Sequence, residues 1–153
     1  IIQGLETVAV RMKQHCSNAE KVIQFLQKHK NVDRVIYPTL YKGEIGDRAK
    51  RYFKNGNGAL VGMEVKGGSD AGKKFINSLK MFYHVANIGD ARSLAIHPAT
   101  TTHSQLTEEE LLAAGVTPGY VRLSIGIEHP DDIIADLDQA LKASGSAKLK
   151  AVS

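Results

Sequence analysis

The segment 121–127 constrains the fold most strongly, because apolar and other residues alternate along it with the period of two that is typical of a β-strand. The residues expected on one face are apolar: Val121, Leu123, Ile125 and Ile127. The residues expected on the opposite face include a cation and a glycine: Arg122, Ser124, Gly126 and Glu128. The guanidinium of Arg122 is a planar fork of donors that matches a carboxylate, and Gly126 leaves room for a ligand or another backbone. The polar face therefore predicts a carboxylate-binding surface, although an arginine on a strand is more commonly solvated or salt-bridged.

Helical and strand patterns alternate along the remainder of the chain. Strands are predicted over 32–37, 59–65, 93–96 and 121–127. Helices are predicted over 6–28, 44–53, 70–79 and 108–114 and from 130 onward, with Ser69 and Thr107 as helix caps. This alternation predicts an α/β domain with an open sheet of about four strands covered by helices on one face. The other face is then either a ligand surface or a docking surface for a further part of a larger protein.

The composition argues against several classes of protein. With 153 residues, 42% of them hydrophobic and 24% charged, the chain has the size of one compact domain. Its formal charge of +4 comes from lysines and arginines spread among acids, which argues against a nucleic-acid-binding protein. The sequence has no apolar run of membrane-spanning length and no signal-peptide pattern, and a single cysteine cannot form an intrachain disulfide, so we expect a cytoplasmic protein without membrane contact. Cys16 lies among apolar positions at helical spacing and is expected to be a small buried hydrophobic residue.

The two ends of the chain differ in pattern. The sequence opens without an initiator methionine and runs directly into a helical pattern, so we expect it to be a piece of a longer protein. The last residues are small, polar and aperiodic, which predicts a flexible tail over 143–153.

Two histidines in a polar loop are weak candidates for a metal site. His97 and His103 are separated by a proline and three threonines, a spacing outside the compact pairs that bind zinc, and neither cysteines nor acids lie beside them. The sequence therefore predicts no metal site. The threonines 100–102 lack the glycine-rich turn of a phosphate site, so their hydroxyls are expected to bond within the loop.

Three segments, taken in order, resemble the C-terminal end of the Cys/Met-metabolism enzymes that use pyridoxal phosphate (PLP). They are Ala86-Asn87-Ile88-Gly89-Asp90-Ala91-Arg92-Ser93-Leu94, His97-Pro98-Ala99-Thr100-Thr101-Thr102-His103-Ser104-Gln105-Leu106 and Val121-Arg122-Leu123-Ser124-Ile125-Gly126-Ile127-Glu128. The likeness extends from Gly4 to Leu137 and so includes nearly the whole chain.

The resemblance implies PLP fold type I, the fold of aspartate aminotransferase, with this chain as its small C-terminal α/β domain, an α+β sandwich. Residues 1–28 would be the end of the PLP domain and the long connecting helix, 29–142 the C-terminal domain, and 143–153 the tail. PLP would be bound mainly by an N-terminal domain that precedes this chain. The Schiff-base lysine of the family belongs to a Ser/Thr-rich motif upstream of Ile1, so the resemblance assigns no catalytic residue here and implies that the chain alone is inactive.

The resemblance also implies roles for two residues. In relatives, the arginine that matches Arg122 binds the α-carboxylate of the substrate. The residue that matches Asn87, which is often serine, contacts the same carboxylate. The segments 87–90 and 101–106 most resemble the O-acetylhomoserine sulfhydrylases, which are transferases that make homocysteine or methionine from O-acetyl-L-homoserine and sulfide or a thiol. Such enzymes are typically homotetramers.

Two other readings remain open. The first keeps the fold and PLP but makes the parent protein a cystathionine γ-synthase or a methionine γ-lyase. The second is a non-enzymatic α/β module in which Arg122 binds a free amino acid.

Overall fold

A computed structural model describes residues 2–145 and confirms the predicted α/β class. Its helices are α1 (Ile2–Glu6), α2 (Val8–Leu26), α3 (Gly43–Tyr52), α4 (Gly68–Ser78), α5 (Glu108–Ala113) and α6 (Pro130–Gly145). Its strands are β1 (Val32–Ile36), β2 (Leu60–Val65), β3 (Tyr83–His84), β4 (Leu94–Ile96) and β5 (Tyr120–Ser124). Short 3-10 turns occupy Pro38–Leu40 and Pro98–Thr100. Among residues 2–145, no helix is both long and apolar enough to cross a membrane.

The strands form one sheet in the order β1-β2-β5-β4-β3, in which β5 is central. Strand β5 is antiparallel to both of its neighbours, and Arg122 lies in register between Gly62 of β2 and Ile96 of β4. The fifth strand was not predicted. Strand β3 has only two residues and pairs in parallel with β4. Two residues are too few to show an alternating pattern in the sequence, so this strand is recognised only by its pairing with β4.

Helices α2, α4 and α6 cover one face of the sheet, as predicted. The buried residues on this face alternate along β2, along β5 and into the residue that follows β5: Val61, Met63, Val65, Val121, Leu123 and Ile125. From α6, Leu137 and Leu141 are fully buried against them, which stabilises the fold by about 1.5–3 kcal/mol for each side chain. The prediction that Ile127 lies on the apolar face of this strand was wrong. Strand β5 ends at Ser124, and Ile127 is 37% exposed where the chain turns away.

The start of the chain differs from the predicted single helix. The helix predicted over 6–28 is interrupted at Thr7, and two of its apolar residues, Val8 and Met12, are 42% and 40% exposed. Two polar residues of α2, His15 and Asn18, are buried instead. Cys16 is a free thiol and only half-buried, rather than fully buried as predicted.

The helix ends follow local backbone chemistry. Thr107 and Glu110 form the predicted capping box, in which Thr107 Oγ1 accepts from the Glu110 N–H at 3.3 Å and Glu110 Oε2 from the Thr107 N–H at 2.8 Å. Ser69 is not a cap. Helix α4 begins after Gly67, whose φ of 109° is a conformation that favours glycine. Helix α6 continues through Gly145, so 143–145 are helical and the rest of the predicted tail lies outside the described residues.

Candidate carboxylate-binding site

Arg122 lies at the centre of the sheet, on the face opposite the helices. The residue is half-buried, and its cross-strand neighbour Gly62 has no side chain to obstruct it. The ring of Tyr120 occupies the space above Gly62, since a Cβ there would lie 2.8 Å from the tyrosine Cε2. Sequence reasoning missed Tyr120. The period of two could have revealed it, because the residue two places before Arg122 must share the same face.

The structure brings together the two residues that the sequence predicts for this site. Arg122 Nη2 donates to the backbone carbonyl of Asn87 at 3.0 Å. The side chain of Asn87 turns toward its own backbone, where Oδ1 accepts from the Ile88 N–H at 2.9 Å. The exposed Asn87 therefore presents its backbone carbonyl, rather than its side chain, to the guanidinium.

One donor of Arg122 is buried and unused. Among the described residues, no acceptor lies within hydrogen-bond distance of Arg122 Nε, although this atom is almost completely inaccessible. A buried donor without a partner costs about 1–3 kcal/mol. A carboxylate that accepts from Nε and from one terminal nitrogen would satisfy it with two parallel bonds, which is the geometry that a guanidinium favours, once the side chain moves enough to expose Nε.

Burial raises the pKa of the Tyr120 phenol above its ordinary value, and this effect outweighs the opposite effect of the Arg122 charge. Tyr120 is therefore neutral at physiological pH. The positive charge of Arg122 is not neutralised by a phenolate from the neighbouring residue on this face.

The rest of the predicted polar face of β5 binds the protein itself rather than forming an open floor. Ser124 Oγ accepts from the Gly89 N–H at 3.4 Å. The space left by Gly126 is filled, since a Cβ there would lie 2.5 Å from the Ala91 carbonyl oxygen and 2.1 Å from Glu128 Oε2. The prediction that Gly126 admits another backbone is confirmed. Gly126 therefore leaves no space for a ligand on this face.

Helix α2 fixes the chain beyond β5. The buried His15 bonds through Nδ1 to the Ile125 carbonyl at 2.6 Å. Asn18 Nδ2 donates to the carbonyls of Gly126 at 3.0 Å and Glu128 at 2.8 Å. These bonds explain why two polar residues of α2 are buried, and they hold the end of the Arg122 strand against a rigid helix.

The two loop histidines have separate surroundings. His97 is 1% exposed, its Nδ1 bonds to Thr100 Oγ1 at 2.8 Å, and its Nε2 bonds to the Pro118 carbonyl at 2.7 Å. Nδ1 of His103 bonds to its neighbour Thr102 at 2.8 Å. The Thr101 hydroxyl donates to the His97 carbonyl at 3.0 Å, so these groups bond within the loop as expected. Residues 2–145 contain no cluster of three or more histidines, cysteines or acids that could hold a metal.

A model of the Cys/Met metabolism PLP-dependent enzyme family matches residues 1–142. The chain belongs to this family. It is 55% identical over 143 residues to O-acetyl-L-homoserine sulfhydrylase of Leptospira meyeri, with 93% of this chain and 32% of that protein covered. It is 48% identical over 144 residues to homocysteine synthase of Schizosaccharomyces pombe, with 94% and 34% covered. An L-methionine gamma-lyase of Fusobacterium nucleatum is 47% identical over 142 residues, with 93% and 36% covered.

A solved structure has the same fold. It is a protein described as an O-acetylhomoserine (thiol)-lyase of Campylobacter jejuni, crystallised with N'-pyridoxyl-lysine-5'-monophosphate, and it is 48% identical to this chain with a TM-score of 0.84. The similarity covers 92% of this chain and 33% of that one. These matches confirm the predicted family, its PLP cofactor and the fold as a fragment of a fold-type I enzyme. The chain spans about a third of the length of the curated relatives it matches.

Proposed function

We propose that this chain is the part of a PLP-dependent O-acetyl-L-homoserine sulfhydrylase that binds the α-carboxylate of the substrate through Arg122. The observation that carries the proposal is the buried Nε of Arg122, which finds no acceptor among residues 2–145 while Nη2 is held by the Asn87 carbonyl at 3.0 Å. An α-carboxylate would supply the acceptor that this donor lacks. The name of one relative, O-acetyl-L-homoserine sulfhydrylase, supports this substrate, and the name of another, homocysteine synthase, supports homocysteine as the product.

The role of Arg122 is to position the substrate rather than to take part in bond making. When bound, PLP supplies an electron sink that stabilises negative charge beside the substrate amine, and this allows acetate to leave Cγ and sulfide or a thiol to add there. Arg122 fixes the carboxylate and so orients the Cα–H bond for proton removal. Asn87 holds the guanidinium in place through its carbonyl. No lysine of this chain is proposed to bind the cofactor.

The other components of the proposed enzyme follow from the family. We infer that an N-terminal domain binds PLP, and that the complete enzyme is a cytoplasmic homotetramer. Several apolar residues at the start of the chain are exposed to solvent. Among them, Ile2, Leu5 and Val10 are 74%, 66% and 74% exposed. Such a surface is consistent with contact to a further domain.

Replacing Arg122 in the complete PLP-containing enzyme tests the proposal. We expect Arg122→Ala to lower kcat/KM for O-acetyl-L-homoserine about 100-fold, because it leaves a buried substrate charge without its partner. The matched control is Arg48→Ala, which removes an exposed arginine of α3 that pairs with Glu44 of the same helix. The carboxylate role would be abandoned if the Arg122 variant kept the kcat/KM of the control.

A methionine γ-lyase is the second candidate, because a relative of that name is 47% identical to this chain. Asn87 favours the sulfhydrylase, since serine is frequent at the matching position in the lyases and cystathionine synthases. Product analysis separates the candidates. A sulfhydrylase consumes O-acetyl-L-homoserine with sulfide to give homocysteine, a cystathionine γ-synthase prefers cysteine as the nucleophile, and a γ-lyase breaks methionine down without an added thiol.

A further inference from the structure

The loop between β3 and β4, residues 85–93, carries Asn87 and is attached to β5 more firmly at one end than in the middle. Near its middle, the Gly89 N–H lies 3.4 Å from Ser124 Oγ, which is close to the limit for a hydrogen bond. Near its end, the Ala91 carbonyl accepts from the Ile127 N–H at 2.9 Å. The loop that places Asn87 over Arg122 is thus anchored at its start by β3, where the Tyr83 N–H donates to the Ser93 carbonyl at 3.0 Å, and at its end by a further attachment.

Ser93 and Glu128 form that attachment. Glu128 Oε1 accepts from the Ser93 N–H at 2.7 Å, and Oε2 accepts from the Ser93 hydroxyl at 2.9 Å. The same hydroxyl accepts from the Gly126 N–H at 2.9 Å. Ser93 is fully buried, and bonds to a carboxylate are stronger than neutral ones. One carboxylate thus links the end of the Asn87 loop to the chain that follows Arg122.

Within the described part of the chain, no lysine, arginine or histidine lies within ion-pair distance of Glu128. Its partners are the neutral donors of Ser93. A half-buried carboxylate that accepts two bonds from a single buried serine is suited to fixing that residue in place. The close approach also requires Gly126, because any Cβ at that position would displace the Glu128 carboxylate.

We propose that Glu128 is a positioning residue for carboxylate recognition. Through Ser93 it fixes the position of the loop whose Asn87 carbonyl accepts from Arg122. In this way it orients the guanidinium toward the substrate. The proposal rests on the function proposed above for Arg122. It assigns Glu128 no contact with the substrate or the cofactor.

The test compares two substrates in the complete PLP-containing enzyme. These are O-acetyl-L-homoserine and its α-carboxamide, which keeps the shape and loses the charge. The ratio of their kcat/KM values measures carboxylate recognition. We expect Glu128→Gln to lower this ratio about tenfold through a higher KM for the acid, and Glu128→Ala to lower it further. A merely structural defect would reduce activity toward both substrates alike and leave the ratio unchanged.

A double-mutant cycle separates this proposal from the function on which it rests. Arg122→Ala alone should abolish the preference for the acid, and adding Glu128→Gln should then change the ratio no further. If Arg122→Ala leaves the ratio intact, the carboxylate role itself is wrong. If Arg122→Ala abolishes the preference but neither Glu128 variant changes it, only the positioning role is overturned.

Two further variants keep the experiment interpretable. Ser93→Ala removes the hydroxyl that Glu128 holds and is expected to lower the ratio as Glu128→Gln does, so it serves where Glu128→Ala fails to fold. Glu20→Gln removes an exposed carboxylate of α2 and should leave the ratio at the wild-type value. An equal loss in the Glu20 variant would contradict a specific role for Glu128.

Discussion

At the residue scale, the useful property of Arg122 is that its donors lie in different environments. Nη2 is occupied by the Asn87 carbonyl at 3.0 Å, whereas Nε is buried and, within the described chain, has no acceptor. A lysine at this position would keep the charge but could not offer the paired, coplanar donors that match a carboxylate. Strand β5 is central in the sheet, so under the proposed function the selectivity for a carboxylate would come from the guanidinium rather than from a movement of the strand.

The burial of His97 makes the stability of this chain depend on pH. Burial lowers the pKa of His97 below the ordinary histidine value of about 6.5, and the bond to the Pro118 carbonyl offsets this only in part. As the pH falls through about 6.5, the unfolded chain therefore binds more protons than the folded chain. The free energy of unfolding should decrease from pH 7.5 to 5.5. Urea denaturation at a series of pH values measures this dependence.

The variant His97→Gln should reduce the dependence on pH, because it removes one of the groups responsible. It should not abolish it, since burial also lowers the pKa of His29 and outweighs the neighbouring Asp138. His129→Gln is the control, because the side chain of His129 is 67% exposed. An identical pH dependence in wild type and His97→Gln would contradict the argument.

At the element scale, helix α6 is joined to the segment that leads into β3 by one carboxylate. Asp136 is 7% exposed and accepts from the backbone N–H groups of Lys80, Met81 and Phe82 at 2.9, 2.8 and 3.3 Å. We expect Asp136→Asn to lower the free energy of unfolding by about 2 kcal/mol, because the amide retains one acceptor and turns a donor toward backbone donors. Urea denaturation at pH 7.5 measures the change.

The matched control lies in the same helix. Asp132 is exposed in the first turn of α6 and interacts mainly with the helix dipole, so Asp132→Asn should cost less than about 1 kcal/mol. Equal losses in the two variants would mean that the backbone bonds of Asp136 contribute no more than a surface charge.

Periodicity predicted the elements that bury a continuous face. It succeeded for β2 and β5, whose apolar residues alternate into the core, and for α5, which ends at Ala113, one residue before the predicted end. It missed β3, because two residues cannot show a period. The sequence pattern also placed the cap of α4 wrongly at Ser69. Such a pattern does not indicate which glycine takes the left-handed conformation before the helix.

The site was only partly predictable for a related reason. The strand pattern alone selected Arg122, whereas Asn87 was found through its family resemblance, since nothing local indicates which loop residue faces an arginine in space. Ser93 was not selected, because its bonds to Glu128 depend on the loop returning to β5. The burial of His15 and Asn18 could likewise not be predicted from the sequence, because the carbonyl groups that accept their hydrogen bonds lie more than a hundred residues away.

At the scale of the whole molecule, the chain has a folded core, and the proposed carboxylate site has a wall on the side of the sheet alone among the described residues. Arg122 lies on the sheet face opposite the helices, the neighbouring Asn87 is exposed, and the curated relatives are about three times as long. A carboxylate bound to Arg122 alone would gain one ion pair near the surface, which is worth about 1 kcal/mol or less. Tight binding of an amino acid therefore requires contacts from outside this chain.

Titration of the isolated chain with PLP, followed by borohydride reduction and mass mapping, tests whether the cofactor site lies elsewhere. We expect no distinct absorbance change and only scattered labelling of exposed lysines, because the proposed cofactor domain is absent. Calorimetry should likewise detect no binding of O-acetyl-L-homoserine at micromolar concentrations. Stoichiometric labelling of a single lysine would instead show that this chain holds a cofactor site of its own. Amino-acid binding without any labelling would favour the non-enzymatic module, because Arg122 would then suffice without PLP.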